Sequence, residues 1–138
     1  MKLLLNMSEA AILGLHAVEV IAESEGLRTT PDIAEELGVS YNHLAKVMQR
    51  LTRSGLVAPV RGPKGGFRLT TRGGAATVGD VVDAIEGKAE YANCLMGSKH
   101  CKRTRCPFRG FLNETNRRFE AVLKTRISSF TRPAKERN

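Results

Sequence analysis

Aromatic residues are scarce in this sequence of 138 residues, which contains no tryptophan, two tyrosines and five phenylalanines. Single-stranded RNA is usually bound on exposed aromatic rings. Within the most basic part of the chain, residues 41–72, the aromatic residues are only Tyr41 and Phe67. The scarcity of aromatic side chains therefore disfavours an RNA-binding module.

Long apolar runs are also missing, and no stretch approaches the roughly 18 residues that a transmembrane helix needs. The N-terminal segment MKLLLNMSEAAILGLHAVEVIA could serve as a signal peptide, but Glu9, His16 and Glu19 interrupt it and no cleavage site follows. A hydrophobic content of 41% is sufficient for the core of one ordinary domain. We therefore expect a cytoplasmic protein without a membrane segment.

The common patterns of catalytic residues are not found either. The sequence has no glycine-rich nucleotide loop, no paired-carboxylate site and no Ser/His/Asp arrangement that stands out from its background. An enzyme is consequently the least favoured class of function.

Acidic residues are absent from one stretch of the chain. Residues 41–72 contain seven lysines and arginines and no aspartate or glutamate, whereas residues 1–37 contain two basic and seven acidic residues. A solvated surface usually mixes both signs of charge, so this segregation predicts a polyanionic partner.

Helix-capping residues predict a helix-turn-helix in the same region. In RTTPDIAEELGVS, Thr30 is expected to cap a helix, Pro31 to occupy its first helical position and Gly38 to end it. Ser40 is expected to cap a second helix, whose apolar residues recur at helical spacing until Gly55. The short, glycine-containing turn between the two helices is typical of a helix-turn-helix.

A basic hairpin is predicted directly after the second helix. The runs 56–61 and 67–70 are β-prone, GPKGG between them is typical of a turn, and Pro59 indicates an edge strand. A hairpin in this position extends a helix-turn-helix to a winged helix. The predicted fold is therefore mainly α with a small β-hairpin wing.

The remainder of the chain is expected to be helical with one loop. TVGDVVDAIEG predicts a capped helix, and NETNRRFEAVLKTRISSF predicts a C-terminal helix with one apolar stripe. That helix is expected to mediate dimerisation, and the alternative is a helix folded back on its own domain. The predicted organisation is a winged helix-turn-helix DNA-binding domain (1–90), a cysteine-bearing loop (91–110), a dimerisation helix (111–130) and a flexible tail (131–138).

The start of the second helix and the wing are predicted to contact double-stranded DNA. The first residues of a recognition helix reach base edges in the major groove, while basic residues farther along contact phosphates. Asn42 can form two hydrogen bonds with adenine, whereas Tyr41 could equally pack against the preceding helix. The predicted DNA-binding residues are Ser40, Tyr41, Asn42, His43, Lys46, Arg50, Arg61 and Lys64.

Three parts of the chain together resemble a known family. VSYNHLAKVMQRLTRSGLVAPVRGPKGGFRL, TVGDVVDAIEG and the three clustered cysteines followed by a helix are similar to the winged-helix iron–sulfur regulators typified by IscR and NsrR. NHLAKVMQRL favours the NsrR branch. The resemblance implies a homodimeric repressor or activator, and two-fold symmetry implies a pseudo-palindromic operator.

The resemblance also implies an iron–sulfur cluster, of the two-iron or four-iron type, held by Cys94, Cys101 and Cys106. The state of the cluster would set DNA affinity in response to nitric oxide, redox state or iron supply. Where IscR-like members have a histidine three residues after the last cysteine, this chain has Arg109. Other members use a carboxylate near the N-terminus, which places Glu9 of MSEAA as the fourth ligand, contributed by the other subunit.

The chemistry of CLMGSKHCKRTRCPF supports a cluster but leaves alternatives open. Thiolates hold iron–sulfur clusters, and the neighbouring lysines and arginines favour thiolates. His100 competes with Glu9 as fourth ligand, and Glu9 also has capping-box spacing from Asn6. The alternative functions are a cluster-free thiol-redox or small-signal regulator of the same fold, and a zinc-stabilised interaction or RNA-binding module. The absence of a Cys-x-x-Cys pair counts against a zinc ribbon.

Overall fold

The structure, a computed structural model, describes residues 7–88, 94 and 104–132. The elements in chain order are α1 (Glu9–Ala22), α2 (Thr30–Leu37), α3 (Tyr41–Arg53), β1 (Val57–Val60), β2 (Gly66–Leu69), α4 (Thr71–Gly74), α5 (Val78–Glu86), α6 (Pro107–Leu123) and a 3-10 helix (Ile127–Ser129). The predicted fold class, mainly α with a hairpin wing, is confirmed. In the described ranges, no helix has the length and apolar character needed to cross a bilayer.

Helices α2 and α3 form the predicted helix-turn-helix, with one correction at its start. Thr29 rather than Thr30 caps α2, because its hydroxyl accepts a hydrogen bond from the Asp32 N–H at 3.2 Å. Thr30 is instead the first helical residue and is buried. Gly38 ends α2 with a φ of 66°, which glycine adopts without strain, and Ser40 caps α3 as predicted.

The wing is fastened to the loop that precedes α2. Strands β1 and β2 are antiparallel, with Val57 opposite Leu69. Phe67 of β2 also donates its N–H to the Arg28 carbonyl at 2.7 Å and accepts the Arg28 N–H at 3.2 Å. A Cβ atom on Gly66 would lie 2.9 Å from the Arg28 carbonyl oxygen, so this close approach requires glycine.

The core lies between α1, α3 and α5. Helix α1 buries seven of its residues, as its nearly uniform apolar sequence predicts. Helix α3 adds Leu44, Val47, Met48 and Leu51, all 2% exposed or less. Side chains from α5 pack against both helices, so the position of α5 is fixed relative to the helix-turn-helix.

The C-terminal helix does not have the predicted bounds. Helix α6 begins at Pro107 and ends at Leu123, whereas the sequence predicted a helix over residues 111–130. The chain leaves the helix because Thr125 and Ile127 form backbone hydrogen bonds with Val78 and Ala76, at 2.9 and 3.0 Å. Ile127 therefore joins the core instead of extending the apolar stripe. Most of the predicted cysteine loop and residues 133–138 of the predicted tail lie outside the described residues.

Candidate functional site

Helix α3 presents one polar face to solvent and one apolar face to the core. Asn42, Lys46, Gln49 and Arg53 are exposed and follow one another at spacings of three or four residues. Tyr41 is 54% exposed, so about half of its surface is open to a partner. Gln49 and Arg53 were not predicted as site residues, although their helical spacing from Asn42 was a usable signal.

The N-terminal end of α3 combines capping with a positive electrostatic field. The Ser40 hydroxyl accepts the His43 N–H at 3.2 Å, so its first role is to cap the helix. His43 itself is half-buried. The first turn of α3 contains no acidic residue, and the positive end of the helix dipole therefore remains available to an anion.

Arg61 and Lys64 lie exposed at the tip of the wing, as predicted. The turn that joins β1 to β2 is compact, because the Gly65 N–H donates to the Gly62 carbonyl at 2.9 Å. A Cβ atom on Gly65 would overlap the Val60 carbonyl oxygen, so glycine is needed for this turn. The wing therefore carries two cationic side chains on a tightly folded backbone.

Arg50 has a partner inside the chain that the sequence did not predict. Its Nη1 donates a hydrogen bond to the Ile85 carbonyl oxygen at 2.8 Å, at the last turn of α5. Sequence reasoning assigned Arg50 to a phosphate because of its position on the recognition helix. Nothing in the sequence indicated that the end of α5 would lie beside it.

Two of the three predicted cysteine ligands lie within the described residues. Cys94 and Cys106 are both half-buried, whereas Cys101 and the competing ligand His100 lie outside the described residues. Cys106 is the N-cap residue of α6, and its side chain makes no capping hydrogen bond. The sulfur is thus not used as a helix cap, and α6 has no acidic residue in its first turn. Cys106 therefore fits the chemistry of a thiolate ligand.

Glu9, the predicted fourth ligand, lies exposed in the first turn of α1. The capping-box alternative is wrong, because Ser8 is the N-cap and its hydroxyl accepts the Ala11 N–H at 3.1 Å. Across residues 7–88, 94 and 104–132 of one protomer, no three His, Cys, Asp or Glu side chains converge as a metal site.

An apolar surface remains exposed on α6 and after it. Leu112 is the buried residue of α6. Phe108, Phe111 and Val122 are 50%, 53% and 55% exposed. Phe130, beyond α6, and Ile12 of α1 are also exposed. Exposed apolar groups of this size commonly mark an interface with another protein.

The sequence of this chain is similar to those of known transcriptional regulators. Residues 7–129 match the sequence profile of Rrf2, described as an iron-dependent transcriptional regulator. The HTH-type transcriptional repressor NsrR of Streptomyces coelicolor is 34% identical over 121 residues, which cover 87% of this chain and 81% of that protein. The HTH-type transcriptional regulator IscR of Aliivibrio salmonicida is 37% identical over 107 residues. These residues cover 77% of this chain but only 58% of that protein.

Solved structures agree on the fold. CymR, the global cysteine regulator of B. subtilis, superposes with a TM-score of 0.75 at 23% identity, over 97% of this chain and 99% of that one. T. potens IscR superposes with a TM-score of 0.68 at 25% identity, over 90% and 84% of the two chains. At 23% identity, the likeness to CymR concerns the fold alone.

Proposed function

The chain belongs to the Rrf2 family of transcription regulators, and on this premise we propose that it is a homodimeric DNA-binding repressor whose operator affinity is set by an iron–sulfur cluster. Its relatives are transcription regulators rather than enzymes. The observation that carries the proposal is the exposed polar face of α3 beside the basic wing. A protein of this kind acts on DNA in the cytoplasm.

We expect α3 to enter the major groove with its N-terminal end directed at the bases. Tyr41 and Asn42 are exposed there, and Asn42 is suited to a two-hydrogen-bond contact with adenine. Lys46, Arg61 and Lys64 would neutralise phosphates on either side of the groove. Ser40 and His43 support this arrangement chiefly by capping the helix, although the Ser40 hydroxyl can still donate to a phosphate.

Asn42→Ala and Lys46→Gln should weaken DNA binding in different ways. The loss of a base contact should weaken operator binding by about 5- to 150-fold and relax sequence preference, because such a contact contributes about 1–3 kcal/mol of discrimination. The loss of a phosphate contact should weaken binding to any DNA and reduce the slope of log K against log salt by about 0.9 per contact. Fluorescence anisotropy with operator and scrambled duplexes at several salt concentrations measures both effects.

Lys124→Gln is the charge-matched control, since Lys124 is exposed at the end of α6, in sequence far from the recognition helix. It should leave both affinity and salt slope close to those of the wild type. An Asn42→Ala protein with unchanged sequence preference would contradict the assignment of α3 as the recognition helix.

The exposed side chains of Phe108, Phe111 and Val122 support a homodimer formed through α6. Dimerisation would remove these side chains from water, and each aromatic ring contributes a large apolar area. Phe111→Glu should therefore raise the dimer dissociation constant by at least about tenfold, because a carboxylate would be buried without a partner. Analytical ultracentrifugation measures the change, and Asn113→Glu provides an exposed control on the same helix. Equal dissociation constants for both variants would exclude α6 as the interface.

Cys94, Cys101 and Cys106 are proposed to hold the cluster, with Glu9 of the other subunit as fourth ligand. Thiolates are the ligands that iron–sulfur clusters prefer, and the sulfur of Cys106 at the start of α6 makes no capping hydrogen bond. When bound, the cluster would supply an iron centre that can react with nitric oxide or change with redox state and iron supply. The exposure of Glu9 leaves its carboxylate accessible to a second protomer.

The test of the proposed function is an absorbance spectrum of protein purified without oxygen, with iron and sulfide assayed on the same sample. We expect cluster bands, sulfide equal to iron, and operator affinities that differ between cluster-loaded and cluster-free protein. A protein that stays colourless after attempted cluster reconstitution would overturn the cluster and favour thiol redox or zinc chemistry. A Glu9→Ala protein with normal spectra and a normal response would exclude Glu9 as the ligand.

A further inference from the structure

The last turn of α5 is where three helices meet. The side chain of Ile85 is buried between α1 and α3, so that a Cβ atom on Gly14 would lie only 3.1 Å from Ile85 Cγ1 and 3.6 Å from Val47 Cγ1. The Ile85 carbonyl accepts the hydrogen bond from Arg50 of α3 at 2.8 Å. The carboxylate of the next residue, Glu86, accepts the N–H of Ser8, the cap of α1. Displacement of this turn would therefore disturb both neighbouring helices.

The first turn of α5 is held in a similar way by the segment that follows α6. The Val78 N–H donates to the Thr125 carbonyl at 2.9 Å, and the Ile127 N–H donates to the Ala76 carbonyl at 3.0 Å. A Cβ atom on Gly79 would lie 3.0 Å from the Leu123 carbonyl oxygen. Both ends of this nine-residue helix are therefore bonded to neighbouring elements.

The cysteine segment begins where α5 ends. Gly87 terminates the helix with a φ of 77°, and Cys94 follows it by seven residues. Arg50 thus connects the recognition helix to the point from which the predicted cluster segment departs. The positive guanidinium lies at the negative end of the α5 dipole, which favours this contact over a neutral one.

We propose that Arg50 is a positioning residue that couples the cysteine segment to the recognition helix, through its hydrogen bond to the Ile85 carbonyl. The inference rests on the proposed function and deepens it, because it names a route by which the cluster state changes DNA affinity. This role of Arg50 differs from a phosphate contact in a measurable way. A phosphate contact that both states make strengthens both equally, whereas a coupling contact sets the ratio between their affinities.

The test compares the operator dissociation constants of cluster-free and cluster-loaded protein for the wild type, Arg50→Met, Arg50→Lys and Lys46→Met. We expect a wild-type ratio of about 10 or more, within the usual range of coupling between sites. Arg50→Met should bring the ratio to within about twofold of one, and Arg50→Lys, which keeps a cationic donor, should restore part of it. Lys46→Met, which removes the same charge from the same helix, should weaken both states and leave the ratio unchanged.

An unchanged ratio in Arg50→Met would overturn the inference, and a reduced salt slope in that variant would return Arg50 to the phosphate contacts. A wild-type ratio of one would instead mean that the proposed function has failed. Hydrogen exchange on cluster-free protein tests whether Arg50 holds the end of α5, whatever the ratio of affinities. Exchange at the Gly87 N–H, which is bonded to the Asp83 carbonyl at 2.9 Å, should accelerate in Arg50→Met and not in Lys46→Met. Unchanged exchange at Gly87 would show that Arg50 does not hold the end of α5.

Discussion

Gly73→Ala should strongly destabilise the protein, whereas Gly74→Ala should leave the fold intact. A Cβ atom on Gly73 would overlap the carbonyl oxygen of Leu56 and lie 2.9 Å from its carbonyl carbon. The obstacle is backbone, so no side chain can rotate away. The same carbonyl accepts hydrogen bonds from the Thr70 N–H at 3.1 Å and the Thr70 hydroxyl at 3.2 Å, and relief of the overlap would strain both.

We expect Gly73→Ala to lower the free energy of unfolding by more than about 3 kcal/mol, a large part of the 5–15 kcal/mol typical of a domain. Gly74 is the matched control, because nothing lies within 4 Å of a Cβ atom at that position. Alanine there can even stabilise the short helix α4 by a few tenths of a kcal/mol. Urea unfolding followed by circular dichroism measures both changes, and equal unfolding midpoints would contradict the packing described for Gly73.

Cys106→Ser should abolish cluster binding without loss of the fold. A serine hydroxyl is not a thiolate, so the proposed cluster site would lose one of its three sulfur ligands. Serine is among the best N-cap residues, and Cys106 makes no capping bond in α6, so the substitution should preserve or slightly stabilise the start of that helix. Loss of the cluster would then be separable from loss of structure.

We expect iron and sulfide in anaerobically purified Cys106→Ser protein to fall by at least about tenfold, because an incomplete ligand set releases the metal. Operator affinity should become fixed at the value of the cluster-free wild type. Thr104→Ser is the control, since Thr104 is exposed in the same segment and carries no metal-binding sulfur. A Cys106→Ser protein with wild-type iron, sulfide and spectrum would remove Cys106 from the ligand set.

The fold could be predicted from the sequence wherever local chemistry decides the structure. Ser40 and Thr77 cap their helices, Gly38 adopts a positive φ, and the hairpin forms around its glycine-rich turn. The error at Thr30 arose because two adjacent threonines can both cap, and burial of the second against the core decides between them.

Features that depend on tertiary contacts could not be predicted in this way. The end of α6 at Leu123 is set by backbone bonds to a segment that is distant in sequence. The partner of Arg50 depends on the packing angle of α5, and the requirement for glycine at position 73 depends on a carbonyl of Leu56. The exposed face of α3, in contrast, could have been predicted more fully. Gln49 lies at helical spacing from Asn42 and could have been included in the candidate interface.

The backbone bridge between Arg28 and Phe67 has a consequence for the thermodynamics of DNA binding. Because the wing is already hydrogen-bonded to the loop before α2, its conformational entropy is lost during folding and not during association. Ordering a free segment would cost about 1–2 kcal/mol for each residue at the moment of binding. A pre-organised wing avoids that cost and holds Arg61 and Lys64 in a fixed position. We therefore expect the proposed operator affinity to depend on the glycine at position 66, although that residue needs to make no contact with DNA.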